Sequence, residues 1–146
     1  MTDRLDDFVN QLQGKINAEA KDVLGEQGFN RWQNPKYRGK IENFDAHGRI
    51  TGSCGDTMEI FFKIDDFTIK QASYLTDGCG SSNVCGSFAA EMAMGKTFEQ
   101  LPDITGESIL DRLGDVPEDE KHCAFLAAST IQDAIDDYML KIKKNN

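Results

Sequence analysis

"TMEIFFKIDDFTIKQASYLT", residues 57–76, is the stretch that decides the fold. Two runs of strand-type residues, 57–64 and 67–76, flank the break Asp65-Asp66, which is short enough for a hairpin; the sheet is therefore expected to be antiparallel. Just upstream, "RITGSC" (49–54) reads as a third strand. Downstream the period changes. "SSNVCGSFAAEMAMG" reads as a helix starting near Ser81 and "TGESILDRLG" as another, and a long final helix is predicted from about Pro117, a favoured first-turn residue, to near Lys144. At the other end, Leu5, Phe8, Val9, Leu12, Ile16, Ala20, Val23 and Leu24 keep a 3.6-residue rhythm, the mark of an amphipathic helix that Gly25 and Gly28 would end. A three-stranded antiparallel sheet packed against segregated helices is an α+β fold.

A chain of 146 residues can bury one sizeable core but is short for two, and 39% hydrophobic with 28% charged residues is the balance of a self-folding globular chain. No apolar run approaches the roughly 20 residues of a membrane span, and the N-terminus lacks a basic start, so a cytoplasmic protein with no membrane partner is expected. Sixteen basic against 25 acidic residues leave a net charge of −9, which repels the phosphates that dominate nucleic-acid affinity. Nucleic acid is excluded as a partner on the same ground.

The chemistry is expected at the cysteines, which in a reducing compartment serve as ligands or reagents more often than as disulfides. Cys54-Gly55-Asp56 sets a thiol and a carboxylate two residues apart at a strand end, with a glycine between them that lets both bend toward one centre. Thiolate is a soft ligand and carboxylate a hard one, a pairing suited to a metal centre that must leave. Cys79 lies between Gly78 and Gly80 directly before a helix, where unpaired N–H groups and the dipole favour a thiolate. Cys85, six residues on, points roughly 240° away around that helix and reads as core packing. Cys123 heads the stripe Cys123, Ala127, Ile131, Ala134, Tyr138 and Ile142 of the last helix, while His122 should aim about 100° aside and act as an alternative ligand unless the first turn is distorted. His47 has no partner in sequence and is expected at the surface. Taken one at a time, each of these could be an ordinary turn or a buried small residue; together, three thiols with Asp56 or His122 make a four-coordinate set suited to iron–sulfur or zinc.

Two phosphate-binding motifs are only apparent. "GCGSSN" has Asn83 where the dinucleotide fingerprint needs its third glycine, and "GKT" (95–97) has Ala90 where a P-loop needs glycine and closes a helix rather than opening one.

In order along the chain, "NPKYRG" (34–39), "SCGDTMEIFFKI" (53–64), "TDGCGSS" (76–82), "MGKT" (94–97) and "HCAFLAASTIQDAI" (122–135) resemble the IscU/NifU N-terminal family of iron–sulfur cluster assembly scaffolds. The resemblance covers roughly residues 29–143 and implies a scaffold domain over 29–146 preceded by a helical extension over 1–28. It further implies that Cys54, Cys79 and Cys123 are cluster ligands, that Asp56 is a ligand or the cluster-release aspartate, and that His122 belongs to the site. A cysteine desulfurase would supply sulfur with Cys123 as persulfide acceptor, and the 2Fe-2S cluster built with iron would pass to apo iron–sulfur proteins. Such a chain is a carrier, not an enzyme.

Departures from the family pattern carry expectations of their own. "VPEDEK" (116–121) stands where the family has a Leu-Pro-Pro-Val-Lys run, which argues against a dedicated Hsp70-type chaperone. The N-terminal apolar stripe would either cover the core or serve a homodimer contact. An alternative is a SufU-like persulfide acceptor with zinc on Cys54, Asp56, Cys79 and Cys123, although the insertion of that branch is missing and His122 is present. A structural domain with inert thiols is the third reading.

Overall fold

The computed structural model describes residues 2–78, 80–114 and 116–145, with the side chains of 2–3, 20–26 and 145 set aside. Helix α1 (Thr2–Gln33) leads into β1 (Ala46–Thr51), β2 (Thr57–Asp65) and β3 (Thr68–Thr76). Helices α2 (Gly80–Ala93), α3 (Gly106–Leu113) and α4 (His122–Asn145) follow, with 3-10 turns over Leu101–Asp103 and Glu118–Glu120 between them. The strands form one antiparallel sheet in the order β1-β2-β3. The α+β expectation holds.

Alternation along β2 sends Met58, Ile60 and Phe62 to the helical side, where they are fully buried with Tyr74 of β3 and with Ala127, Ile131 and Ala134 of α4. The expected stripe of α4 therefore does face the core from Cys123 onward, and Cys85 is buried among core residues. The hairpin turn falls on Asp66-Phe67, one residue later than the sequence suggests, because Asp65 pairs with Thr68. Both turn residues take positive φ, 54° and 58°, the geometry that matches strand twist in a two-residue hairpin. Phe67 is an awkward occupant of that conformation. Phe67→Gly is expected to raise stability by about 0.5–1 kcal/mol, read from the urea midpoint, since relief of the strain outweighs the entropy of glycine.

Edge strand β1 is closed by α4. Asp137 Oδ2 accepts from the His47 N–H at 3.1 Å and Asp133 Oδ2 from the Arg49 N–H at 2.8 Å, so two carboxylates one helical turn apart cap the outward donors of the strand. Helix and strand come close enough for this because Gly48, between the capped residues, has no side chain.

Three expected boundaries move. Helix α1 does not end at Gly25 or Gly28 but runs to Gln33, just ahead of Asn34-Pro35. Its last turns are held from outside: Arg31 pairs with Glu91 at 3.1 Å, donates to Ser87 at 3.0 Å and lies over the Phe88 ring. Such contacts outweigh the roughly 1 kcal/mol that a helical glycine costs. Strand β1 ends at Thr51, so Cys54 sits in a loop rather than at a strand end. The final helix begins at His122, because bonds from Glu120 N to Pro117 O and from Lys121 N to Glu118 O carry the chain through a 3-10 turn first.

Of the N-terminal stripe, Leu5, Phe8, Val9, Leu12 and Ile16 are all exposed, between 43% and 64%, so this part does not cover the core. Ala20, Val23 and Leu24 lie outside the described side chains. His47 is not a free surface residue either: its ring bonds Glu59 at 2.9 Å and stacks on Phe61.

Candidate functional site

Three element ends converge at one end of the sheet. The first is the β1–β2 loop, a tight turn in which Gly52 N bonds Asp56 O at 2.8 Å, Gly55 N bonds Gly52 O at 3.0 Å, and Gly55 takes φ +93°. This turn leaves Cys54 exposed at its tip and folds Asp56, half-buried, back toward the protein. The second is the β3–α2 turn. Thr76 Oγ1 donates to Thr57 O at 2.7 Å and accepts from Gly78 N at 3.1 Å, while Asp77 Oδ1 accepts from Thr57 N at 2.8 Å, so this turn is tied to the strand beside it. The third is the start of α4, with Cys123 fully buried and His122 exposed beside it.

A string of polar contacts joins them. Ser82 Oγ donates to Asp56 Oδ2 at 3.0 Å and lies 3.4 Å from Cys123 Sγ, and Cys123 Sγ lies 3.5 Å from His122 Nε2. His122 Nδ1 stands 2.7 Å from the Asp119 carbonyl oxygen, which can only accept, so Nδ1 carries a proton. In the neutral ring, Nε2 then offers its lone pair to the Cys123 thiol. The roughly 100° divergence expected of neighbouring helical residues is absent, because His122 opens the helix out of a 3-10 turn instead of sitting within it.

Of the residues singled out in the sequence, Asp56, His122 and Cys123 are thus brought together, and Cys54 stands on the same loop as Asp56. Cys79 lies outside the described residues. Its neighbour Gly78 adjoins the cluster: a Cβ there would sit 2.6 Å from both Asp56 Oδ2 and Ser82 Oγ. Among the described residues no three of His, Cys, Asp and Glu are gathered closely enough to hold a metal ion. The hydroxyl of Ser82 occupies the space between the carboxylate and the sulfur. Sequence reasoning missed Ser82, whose only signal was a hydroxyl residue in the first turn after "GCG".

Thiol, imidazole and carboxylate collected at the surface end of an α+β domain define a small protein that presents soft and hard ligands together. The chain belongs to the NifU-like N-terminal domain family, whose model matches residues 25–145. It is 40% identical over 120 residues to the iron-sulfur cluster assembly scaffold protein IscU 1 of Archaeoglobus fulgidus, covering 82% of this chain and 78% of that protein. It is 32% identical over 124 residues to the iron-sulfur cluster assembly scaffold protein IscU of Haemophilus influenzae, covering 82% of this chain and 98% of that one. A NifU-like N-terminal structure from Brucella abortus superposes with a TM-score of 0.65 at 17% identity, over 84% of this chain and 98% of that one. A putative SUF-system scaffold from Fervidobacterium islandicum gives 0.61 at 21%, over 76% and 95%. These two likenesses concern the fold.

Proposed function

We propose that this protein is a scaffold on which a transient 2Fe-2S cluster is assembled from iron and sulfur, and from which the cluster passes to apo-proteins. One observation carries the reading: Asp56 and Cys123, far apart in sequence, meet on either side of one hydroxyl, with exposed Cys54 on the loop of Asp56 and His122 against Cys123. Cys54, Cys79 and Cys123 are the soft ligands. The fourth place falls to Asp56 or His122, whose hardness suits release better than a fourth thiolate would.

Sulfur arrives as the persulfide of a cysteine desulfurase. The Cys123 sulfur attacks the terminal sulfur, the bond between that sulfur and the desulfurase cysteine breaks, and the desulfurase leaves as a thiolate. His122 Nε2, 3.5 Å away, takes the thiol proton. Two electrons from an external reductant then convert each transferred sulfur to sulfide.

Anaerobic reconstitution with iron, cysteine and a desulfurase should give visible sulfide-to-iron absorption, and Cys79→Ser should abolish it. A protein that stays colourless under those conditions sinks the proposal. Zinc retained stoichiometrically through chelation, together with stimulated desulfurase turnover, would support the zinc-bound sulfur acceptor instead.

A further inference from the structure

Ser82 lies in the first turn of α2 with none of its surface exposed, yet its hydroxyl serves no helix or strand. It reaches across 26 residues to Asp56 and across 41 to Cys123. The single hydroxyl hydrogen goes to Asp56 Oδ2, and with the Cys123 thiol turned to the His122 Nε2 lone pair, the Ser82 oxygen packs against Cys123 Sγ at 3.4 Å. Gly78 leaves the room this pair needs, since any Cβ there would overlap both oxygens. The hydroxyl therefore stands where an ion shared by Asp56 and Cys123 would have to stand.

We propose that Ser82 is a latch on Asp56: it holds the carboxylate while the site is empty, and loading exchanges the Ser82–Asp56 hydrogen bond for a bond from Asp56 to the metal. The idea rests on the scaffold reading and adds a regulated step to it. Asp56 is two residues from Cys54 on one short turn, so letting go of the carboxylate also frees the loop that carries the exposed thiol. In the reverse direction, Ser82 reclaims Asp56 as cargo departs, which favours release.

The test uses cobalt(II) alone as the probe, titrated anaerobically into the metal-stripped 146-residue protein and read by its sulfur-to-cobalt charge-transfer absorption. Losing a hydrogen bond to a charged group should make cobalt bind about tenfold more tightly to Ser82→Ala than to wild type. Ser82→Gly, which asks for still less room, should behave alike, and Ser82→Thr, which keeps the hydroxyl, should return to the wild-type value. In an Asp56→Asn background the Ser82→Ala gain should vanish, a result that loss of a merely structural hydroxyl would not give. Unchanged or weaker binding by both Ser82→Ala and Ser82→Gly overturns the latch, as does a gain that survives Asp56→Asn. Failure of every form, wild type included, to bind cobalt overturns the scaffold reading itself.

Discussion

Gly48→Ala is expected to cost at least about 3 kcal/mol of folding stability, the largest loss foreseen for one added methyl group in this chain. A Cβ at residue 48 would overlap the Thr130 carbonyl oxygen and lie 2.8 Å from Ala134 N and 3.2 Å from Ala134 Cβ. The first two are backbone atoms of α4, and no change of rotamer moves them aside. Helix and strand would have to separate, and the caps from Asp137 to His47 N and from Asp133 to Arg49 N would lengthen with them. Against a typical total of 5–15 kcal/mol this is a large fraction, and for a domain of this size it corresponds to roughly 10 °C in the melting temperature. A melting temperature within 2 °C of wild type would show that the spacing of α4 over the sheet is not set at Gly48.

Such a contact marks the boundary of what could be read from residues alone. The alternation of Met58, Ile60 and Phe62 and the stripe from Cys123 to Ala134 are local patterns, and the sheet and α4 appear where those patterns place them. The end of α1 was not legible, because Gly25 and Gly28 are local stop signals while the contacts of Arg31 with Ser87, Phe88 and Glu91 come from 56 to 60 residues away. The turn at Asp66-Phe67 defeats propensity for another reason: a bulky residue occupies a conformation that favours glycine, and only strand pairing holds it there. At the site, residue type pointed to Asp56, His122 and Cys123. Distance was not readable. That His122 turns its ring to the thiol depends on a 3-10 turn, and that Asp56 meets Ser82 depends on the hairpin loop folding back.

Cys123→Ser is expected to leave the fold intact and to reduce cluster assembly at least a hundredfold, to the background of free iron and sulfide. The substitution keeps volume and hydrogen-bonding capacity in a fully buried position beside Ser82 Oγ and His122 Nε2, so the helix start has no reason to move. What is lost is the sulfur. A serine hydroxyl is not ionised near neutral pH, cannot form a persulfide, and offers iron a hard oxygen where the proposed cluster would take a thiolate. On the proposed reading, the same replacement at exposed Cys54 removes one ligand and leaves the sulfur acceptor in place, so labelled sulfur from the desulfurase should still reach the protein in Cys54→Ser and fail to reach it in Cys123→Ser. Asp56→Ala separates a third role: if Asp56 is the labile ligand of the proposed cluster, its loss should slow transfer to an apo-acceptor more than it impairs assembly. Measured together by sulfur-35 incorporation, visible absorption and acceptor maturation, the three variants assign acceptance, holding and release to different side chains. Equal sulfur labelling of Cys123→Ser and wild type would remove Cys123 from the acceptor role and pass it to another thiol of the site.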